Sequence, residues 1–278
     1  MNRSNVPLIS VIVTTYNRPD ALRLVINALS RQDYPNFEII VADDGSTSDT
    51  KDLVAQFADT VSVPVKHAWH EDRGFRAATA RNNAVRQSCG EYLLFLDGDC
   101  IPRKNWISAH WKLAAPNSFI AGNRILISEE FTKTVLTDNL DLTSLGFLDF
   151  LSLVRNKSIN RISPIINIPL GFLRTLNSKN WKRVRTCNMS VWKSDFEKVN
   201  GFDESFDGWG FEDSDLAVRL IKAGISRIEG AFGTGVLHLF HKENDRSKEI
   251  QNLSKLQQSI DSPTYYAENG LKKTNNYH

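Results

Sequence analysis

Two aspartates separated by a glycine, Asp97 and Asp99, directly follow a continuous apolar run at residues 92–96. Such a run is typical of a strand buried on both faces of a parallel sheet. Carboxylates at the carboxyl end of that strand lie where open α/β sheets place their ligand crevice. Two carboxylates around Gly98, which allows a tight turn, suit a hard divalent cation that holds a phosphorylated ligand. The alternative is an Asp-Gly turn that simply closes a strand.

A second acidic group lies at residues 203–215, where Trp209 stands between two glycines. Glu212 and Asp213 begin a predicted helix, and the helix dipole and free N–H groups favour an ionised carboxylate there. A capping role would explain acids such as Asp213. It would not explain the Gly-Trp-Gly pattern, so this loop is a candidate for chemistry as well.

The elements that must position these residues alternate between strand and helix. Short connections between them predict parallel βαβ units, with the carboxyl ends of the first, second and fourth strands at one edge of the sheet. The turn at residues 14–17, the Asp43-Asp44 pair and the Asp97-Gly98-Asp99 turn are therefore expected to converge. Up to that edge the pattern predicts strands at 8–13, 37–42, 61–65 and 91–96, and helices over 21–29, from about 49, and over 76–88.

The predicted edge has residues that suit a pyrimidine nucleotide. An aspartate such as Asp44 can accept the N3–H of the base, and Tyr16 can stack on the ring. A diphosphate needs neutralising charge, which a cation on Asp99 and the guanidinium of Arg81 can supply. The chain has neither a Gly-x-Gly-x-x-Gly after the first strand nor a P-loop. The main support for a dinucleotide-binding or a P-loop nucleotide-binding protein is therefore missing. The alternatives are a turn and helix cap for Asp44 and a surface role for Arg81.

Three motifs in this order resemble the family-2 glycosyltransferases, which are inverting enzymes of the GT-A fold. They are Ser10–Arg18, Val41–Ser46 and Leu96–Asp99, within about residues 8–130. The resemblance implies an α/β fold with a Rossmann-like, mostly parallel central sheet flanked by helices. It implies that Asp99 ligates Mn²⁺ or Mg²⁺ and that Asp44 accepts from the uracil of a UDP-sugar. The other implied donor contacts are Thr14, Tyr16, Asn17, Arg18, Arg81, Asp97 and Gly98.

The stretch from Gly208 to Asp213 is similar to the Trp-Gly-Gly-Glu-Asp region of β-1,4-galactosyltransferases and to the second half of bacterial capsule polymerases. This similarity implies Asp213 as the catalytic base and Glu212 as a residue that orients a sugar. Trp209 would stack on a sugar face of the acceptor, and Gly210 would also contact the acceptor. A phenylalanine, Phe211, stands where a glycine is usual. The same families place a third metal ligand near His238 or His241, and imidazole with carboxylate suits Mn²⁺.

Net charge is +2, but residues 151–190 hold eight Lys or Arg and no Asp or Glu. Basic residues interleaved with apolar ones predict peripheral contact with an anionic membrane through residues 131–185. The alternative is a lid or helical subdomain that packs these apolar residues internally. No nucleic-acid recognition motif accompanies the charge, so no nucleic-acid partner is expected.

The expected organisation has four parts: a nucleotide-sugar-binding half (1–130), a helical basic and apolar insertion (131–185), an acceptor and catalytic half (186–242), and a C-terminal helix with a polar tail (243–278). Three cysteines without metal-type spacing predict a reducing compartment. Neither a signal peptide nor an 18-residue apolar window is visible, so we expect a cytoplasmic protein, peripheral on the inner face of the cell membrane.

The expected function is metal-dependent inverting transfer of a hexose from a UDP-sugar to a glycan or lipid-linked acceptor in surface polysaccharide synthesis. Galactose is the first donor choice, followed by GalNAc, GlcNAc or Glc. A sugar-nucleotide nucleotidyltransferase is a second class, but its Gly-rich, Arg-containing first loop and catalytic lysine are absent. A non-catalytic sugar-binding module is a third class, which the set of Asp99, Asp213 and His241 argues against.

Overall fold

The computed structural model describes residues 6–242 and 245–273. The predicted N-terminal stretch 1–5 and the last part of the predicted polar tail, 274–278, lie outside the described residues. The elements up to the first site turn are β1 (Ile9–Thr15), α1 (Pro19–Leu29), β2 (Phe37–Asp43), α2 (Ser48–Thr60), β3 (Val65–Trp69), α3 (Ala77–Arg86) and β4 (Tyr92–Asp97). The elements after it are β5 (Cys100–Pro102), α4 (Trp106–Leu113), β6 (Ser118–Ala121), β7 (Arg124–Leu126), α5 (Glu129–Thr137), α6 (Phe147–Arg155), β8 (Asn188–Trp192), α7 (Lys193–Lys198), α8 (Glu212–Lys222), β9 (Ser226–Glu229), β10 (Val236–His238) and α9 (Glu249–Asp261).

The central sheet has the strand order β3-β2-β1-β4-β8-β6-β9. Pairs β1–β2, β1–β4, β2–β3 and β6–β9 are parallel, whereas β8 runs antiparallel to both β4 and β6. The predicted mostly parallel α/β sheet is therefore confirmed. Because β8 lies between β4 and β6, the predicted N-terminal and catalytic halves share one sheet.

The predicted convergence of strand ends follows from the register of the parallel strands. Thr15 pairs with Asp43 across β1 and β2, and Thr14 pairs with Asp97 across β1 and β4. The apolar runs of β1, β2 and β4 are buried on both faces of the sheet. Their polar termini therefore end at one level of the same edge.

The third strand differs from its predicted position at 61–65, because it begins only at Val65. Helix α2 continues to Thr60, and Pro64, which has no N–H to donate to a ladder, falls in the connection. The actual strand contains Lys66 and His67, so it lacks the apolar pattern that marks a buried strand.

A second, three-stranded sheet joins two distant parts of the chain. Strand β10 pairs antiparallel with β5 and parallel with β7. In the antiparallel pair, His238 lies opposite Cys100, the residue that follows Asp99. This pairing brings the histidine segment to the Asp97-Gly98-Asp99 turn.

The insertion is only partly helical. Helices α5 and α6 lie within residues 129–155, as the apolar content of 131–155 predicts. Between α6 and β8 the described backbone forms short 3₁₀ turns, at Ser163–Ile165 and Gly171–Thr175, and a bridge from Ile159 to Ile127, so the expected helical insertion 131–185 is α-helical only in its first part. Pro164 and Pro169 interrupt any helical hydrogen-bond ladder there.

Candidate functional site

The turn after β2 gives its two adjacent aspartates different surroundings. Asp43 is fully buried; its Oδ1 accepts from the backbone N–H of Ser46 at 2.8 Å, and its Oδ2 lies 2.8 Å from His67 Nε2. Burial raises the pKa of Asp43, but the bonds from His67 and Ser46 outweigh it and lower the pKa overall. Asp43 is therefore an ionised residue that holds the turn.

Asp44, also buried, keeps one acceptor oxygen open. Its Oδ2 accepts from the backbone N–H of Arg76 at the start of α3, at 2.7 Å. Its Oδ1 lies 3.2 Å from His70 Nε2 but has no aligned hydrogen bond among the described residues. The contact with Asp44 raises the pKa of His70 despite its burial. His70 is therefore the near neighbour of Asp44 Oδ1, and the N3–H of a pyrimidine could donate beside it to a remaining lone pair of this carboxylate.

Tyr16 and Asn17 follow β1 and differ in how free their side chains are. The Tyr16 ring is 47% exposed, and its hydroxyl donates to Asp72 Oδ2 at 2.9 Å, a bond that raises the pKa of Tyr16. Asn17 instead joins two turns: its backbone N–H donates to Ser46 Oγ at 2.8 Å, and its Oδ1 accepts from the Thr47 N–H at 2.9 Å. Tyr16 remains available for stacking, whereas the Asn17 amide oxygen is already bonded.

Gly98 and Arg18 complete the predicted donor set. A Cβ on Gly98 would lie 3.0 Å from the backbone oxygen of Thr14, which accepts the Gly98 N–H at 2.7 Å. Glycine therefore lets the end of β4 lie tightly against β1. The Arg18 guanidinium is partly exposed and pairs with Asp20 on α1 at 3.1 Å.

Arg81 is buried and links the two halves of the candidate site. Its Nε donates to Thr14 Oγ1 at 3.0 Å, one terminal nitrogen donates to Asp97 Oδ1 at 3.2 Å, and the other donates to Glu212 Oε1 at 3.1 Å. The surface role considered for Arg81 is excluded by its 4% exposure. One guanidinium thus ties β1 and β4 to the acidic start of α8.

Asp99 lies between the two predicted histidines. Its Oδ1 is 3.5 Å from His238 Nε2, and its Oδ2 is 3.6 Å from His241 Nε2. Oδ1 is buried and has no hydrogen-bond partner among the described residues. Burial raises the pKa of Asp99 and lowers that of His238, because each charged form is desolvated.

This group has the composition and the unmet bonding that a divalent cation requires. One carboxylate and two imidazoles form a mixed O/N set that suits Mn²⁺ or a similar ion. The Cys100 thiol adds a further candidate, since its sulfur lies within 4.8 Å of ligand atoms of Asp99 and His238. Both His238 and His241 are close enough to Asp99 to act as ligands of the same cation.

The acidic loop brings Asp213 to the start of α8 beside charged neighbours. Burial and the adjacent Glu212 raise the pKa of Asp213 to about 6, although the charges of Arg185 and Arg81 act to lower it. The Arg185 guanidinium lies 4.0 Å from Asp213 Oδ2. A carboxyl group that titrates near pH 6 is ionised at neutral pH and still basic enough to accept a proton.

The backbone of this loop is unusual at three positions. Gly208, Gly210 and Phe211 have φ values of 80°, 107° and 72°. Phe211 therefore adopts the left-handed conformation that a glycine takes without steric cost. Phe211 replaces the usual glycine, but its backbone keeps the left-handed conformation that glycine favours.

Helix α9 is hydrogen-bonded to the loop at residues 207–209. The buried amide of Asn252 donates to the backbone oxygens of residues 207, 208 and 209 at 3.2–3.4 Å. The Arg246 guanidinium stacks over the ring of Trp209 at 4.6 Å from its centroid. One face of the predicted sugar-stacking tryptophan is therefore covered by a cation.

The structure brings Thr14, Asp97 and Glu212 together around Arg81. It also places Asp99 beside both histidines. The sequence prediction missed three residues beside these groups: His70, Cys100 and Asn252. Cys100 is detectable only once β5 and β10 are paired, and His70 and Asn252 lie outside any chemical motif.

A mostly parallel α/β sheet with an Asp-x-Asp turn, a histidine segment and an acidic helix start defines the GT-A class of fold and site. The chain belongs to glycosyl transferase family 2, whose family model matches residues 10–189. A second family model, the N-terminal domain of galactosyltransferase, matches residues 175–242. The predicted family and its galactosyltransferase-like C-terminal region are thereby confirmed.

Two curated relatives show the range of this similarity. The validoxylamine A glucosyltransferase of Streptomyces hygroscopicus subsp. jinggangensis is 30% identical over 233 residues, which cover 80% of this chain and 53% of that protein. The chondroitin synthase of Escherichia coli is 28% identical over 246 residues, which cover 80% of this chain and 34% of that protein. The chain therefore spans about half the length of the first relative and a third of the second.

Solved structures agree on the fold. A mannosyltransferase from Pyrobaculum calidifontis in complex with GDP-Man and Mn²⁺ has a TM-score of 0.61 at 20% identity, covering 94% of this chain and 66% of that one. TarS 1–349 of S. aureus in complex with UDP has a TM-score of 0.55 at 17% identity, covering 91% and 64%. Within the described part of the chain, no helix combines the length and apolar character that a membrane span needs.

Proposed function

We propose that this chain is an inverting, metal-dependent glycosyltransferase that moves a hexose from a UDP-sugar to a glycan or lipid-linked acceptor in surface polysaccharide synthesis. Galactose is the first donor choice, supported by the match of residues 175–242 to a galactosyltransferase model. Glc is a next choice, supported by the glucosyltransferase among the relatives, and GalNAc and GlcNAc stay as the other choices. We further propose that the protein works in the cytoplasm.

The observation that carries this proposal is the pairing of two groups at one sheet edge. Asp99 lies within 3.6 Å of two imidazoles. Arg81 donates to both Asp97 and Glu212. The residue after Glu212 is Asp213, whose pKa is about 6. A cation site for a leaving diphosphate and a base for an attacking hydroxyl are the two groups that inverting glycosyl transfer needs.

The residues of the chain then have separate tasks. Asp44 accepts the N3–H of the uracil with its open oxygen, and the exposed ring of Tyr16 stacks on the base. Asp99, His238 and His241 would hold the cation, which would supply the positive charge that neutralises the leaving diphosphate. Asp213 accepts the proton of the acceptor hydroxyl as that oxygen attacks the anomeric carbon from the face opposite the departing UDP. Glu212, fixed by Arg81, orients the sugar.

The test is release of UDP from UDP-Gal, UDP-Glc, UDP-GlcNAc and UDP-GalNAc, each with Mn²⁺, with Mg²⁺ or with EDTA. We expect release from at least one donor with metal and none with EDTA. Asp213→Asn is expected to lower the rate by roughly 10²–10⁴-fold, the usual contribution of a positioned base. Asp99→Asn should remove the metal dependence together with the activity.

Asp52→Asn is the matched control, because Asp52 is an exposed aspartate on α2 to which no role in the site is assigned. It should leave the rate unchanged. If no donor releases UDP in a metal-dependent manner and Asp213→Asn behaves like Asp52→Asn, the proposal is wrong.

A further inference from the structure

Four large apolar side chains project from one turn in the basic half of the insertion. These side chains belong to residues 168–176, which we call the 168–176 turn. Phe172 is 76% exposed, Leu176 67%, Leu173 47% and Ile168 39%. Isolated exposed apolar residues are ordinary, but such a cluster marks an interaction site.

The exposure of this turn is imposed by a buried arginine. The Arg174 guanidinium donates to four backbone oxygens, those of Ile168, Glu229, Ala231 and Phe232, at 2.6–3.2 Å. These bonds fix the turn to the loop after β9 and occupy the one long side chain that points inward. The neighbouring apolar side chains of the turn are exposed, so the internal packing considered for the insertion does not extend to this turn, although Phe150 and Ile159 of the same insertion are buried.

The chain next to this turn is cationic. Lys179, Lys182 and Arg183 are all exposed, and residues 151–190 contain no carboxylate to neutralise them. Apolar side chains flanked by unneutralised cations are complementary to an anionic bilayer, where the apolar groups enter the boundary between headgroups and acyl chains and the cations meet lipid phosphates. A protein partner of ordinary composition would not require both features together.

We propose that the 168–176 turn docks the protein on the surface of an anionic lipid bilayer, with Phe172 and Leu176 inserted and Lys182 and Arg183 against lipid phosphates. None of these four residues has a role in the proposed donor or catalytic site, so the inference goes beyond the proposed function. It also stands if the donor sugar or the acceptor differs from our choice.

The test is co-sedimentation with vesicles of phosphatidylcholine containing one-third phosphatidylglycerol, compared with vesicles of phosphatidylcholine alone. We expect binding only to the anionic vesicles, weakened by added salt. The double variant Phe172→Ser/Leu176→Ser should bind at least about tenfold more weakly, as should Lys182→Glu/Arg183→Glu. Because these side chains are exposed, unfolding midpoints of the variants should match the wild type.

Two matched variants serve as controls. Ile250→Ser removes an equally exposed apolar residue (82% exposed) on α9, and Lys51→Glu reverses an exposed cation on α2. Both should bind vesicles like the wild type. The proposal fails if the wild type ignores anionic vesicles or if the controls lose binding as strongly. It also fails if Phe172→Ser/Leu176→Ser converts a dimer to a monomer in sedimentation velocity without affecting vesicle binding, since a second copy would then be the occupant.

Discussion

The proposed donor side and the proposed acceptor side of the site are built in opposite ways. The donor side consists of β1, β2 and β4, whose ends are aligned by strand register; the Asp44 N–H donates to the Thr15 oxygen, and Arg81 bonds both Thr14 and Asp97. The acceptor loop, residues 207–213, has three residues at positive φ and is held by Asn252 from a helix about forty residues later. Substitutions on the donor side should therefore affect folding and donor binding together, whereas those in the loop should affect the acceptor step without weakening donor binding.

The largest effect is expected where the two sides meet, at Arg81. Arg81→Met would leave Asp97 and Glu212 without their buried cation, and breaking a buried pair costs about 3–5 kcal/mol. We expect a loss of that size in the free energy of unfolding, measured with urea, together with weaker UDP binding. Arg73→Met is the control, because the Arg73–Glu71 pair is about 70% exposed on both sides and such pairs contribute roughly 0–1 kcal/mol. Equal losses for the two variants would contradict a bridging role for Arg81.

A second prediction concerns pH and is confined to the acceptor side. The pKa of Asp213 is about 6, so the base is protonated below that pH. The acceptor kcat/KM should therefore fall about tenfold per pH unit below 6, whereas the affinity for UDP should not follow that titration. Arg185→Gln removes a charge that lowers this pKa, and the inflection should move upward. An unchanged inflection would show that Arg185 does not act on Asp213.

The same shift predicts a stability gain for Asp213→Asn. The folded pKa, about 6, lies above the ordinary value of 3.8, so the ionised group disfavours the folded state at high pH. As pH falls through 6 the folded protein takes up the proton, and the penalty disappears near pH 4. Asp213→Asn should raise the free energy of unfolding by about 1–3 kcal/mol at pH 8 and by little at pH 4. A gain independent of pH would contradict this cause.

The contrast between the two sides also explains what the sequence could predict. The donor edge follows from local patterns, because alternating elements and continuous apolar runs determine which strands are parallel and where they end. The metal group depends on the pairing of β10 with β5, a register between Cys100 and His238 that no local pattern encodes. The non-helical basic segment depends on Arg174, whose four carbonyl partners are mostly more than fifty residues away. Family resemblance found His238 and His241 where residue patterns alone could not.

A fourth prediction tests how the proposed acceptor loop is held. Asn252→Leu would leave the backbone oxygens of residues 207–209 without this donor, and an unsatisfied buried group costs about 1–3 kcal/mol. We expect a higher acceptor KM with unchanged donor hydrolysis, because the donor side does not contact Asn252. Gln251→Leu, exposed on the same helix, should change neither parameter. An equal loss of donor hydrolysis would show that α9 supports both sides.

The smallest effect is expected from the strained backbone at Phe211. A non-glycine residue in the left-handed conformation costs of order 1–3 kcal/mol, and a glycine relieves that cost. Comparing Phe211→Gly with Phe211→Ala separates strain from lost packing, since both variants remove the ring and only alanine keeps the strain. We expect the glycine variant to unfold with a free energy about 1 kcal/mol higher than the alanine variant, the lower end of that range because glycine also gains entropy when unfolded. If alanine were the more stable of the two, φ at this position would not be the 72° that places Glu212 and Asp213 at the start of α8.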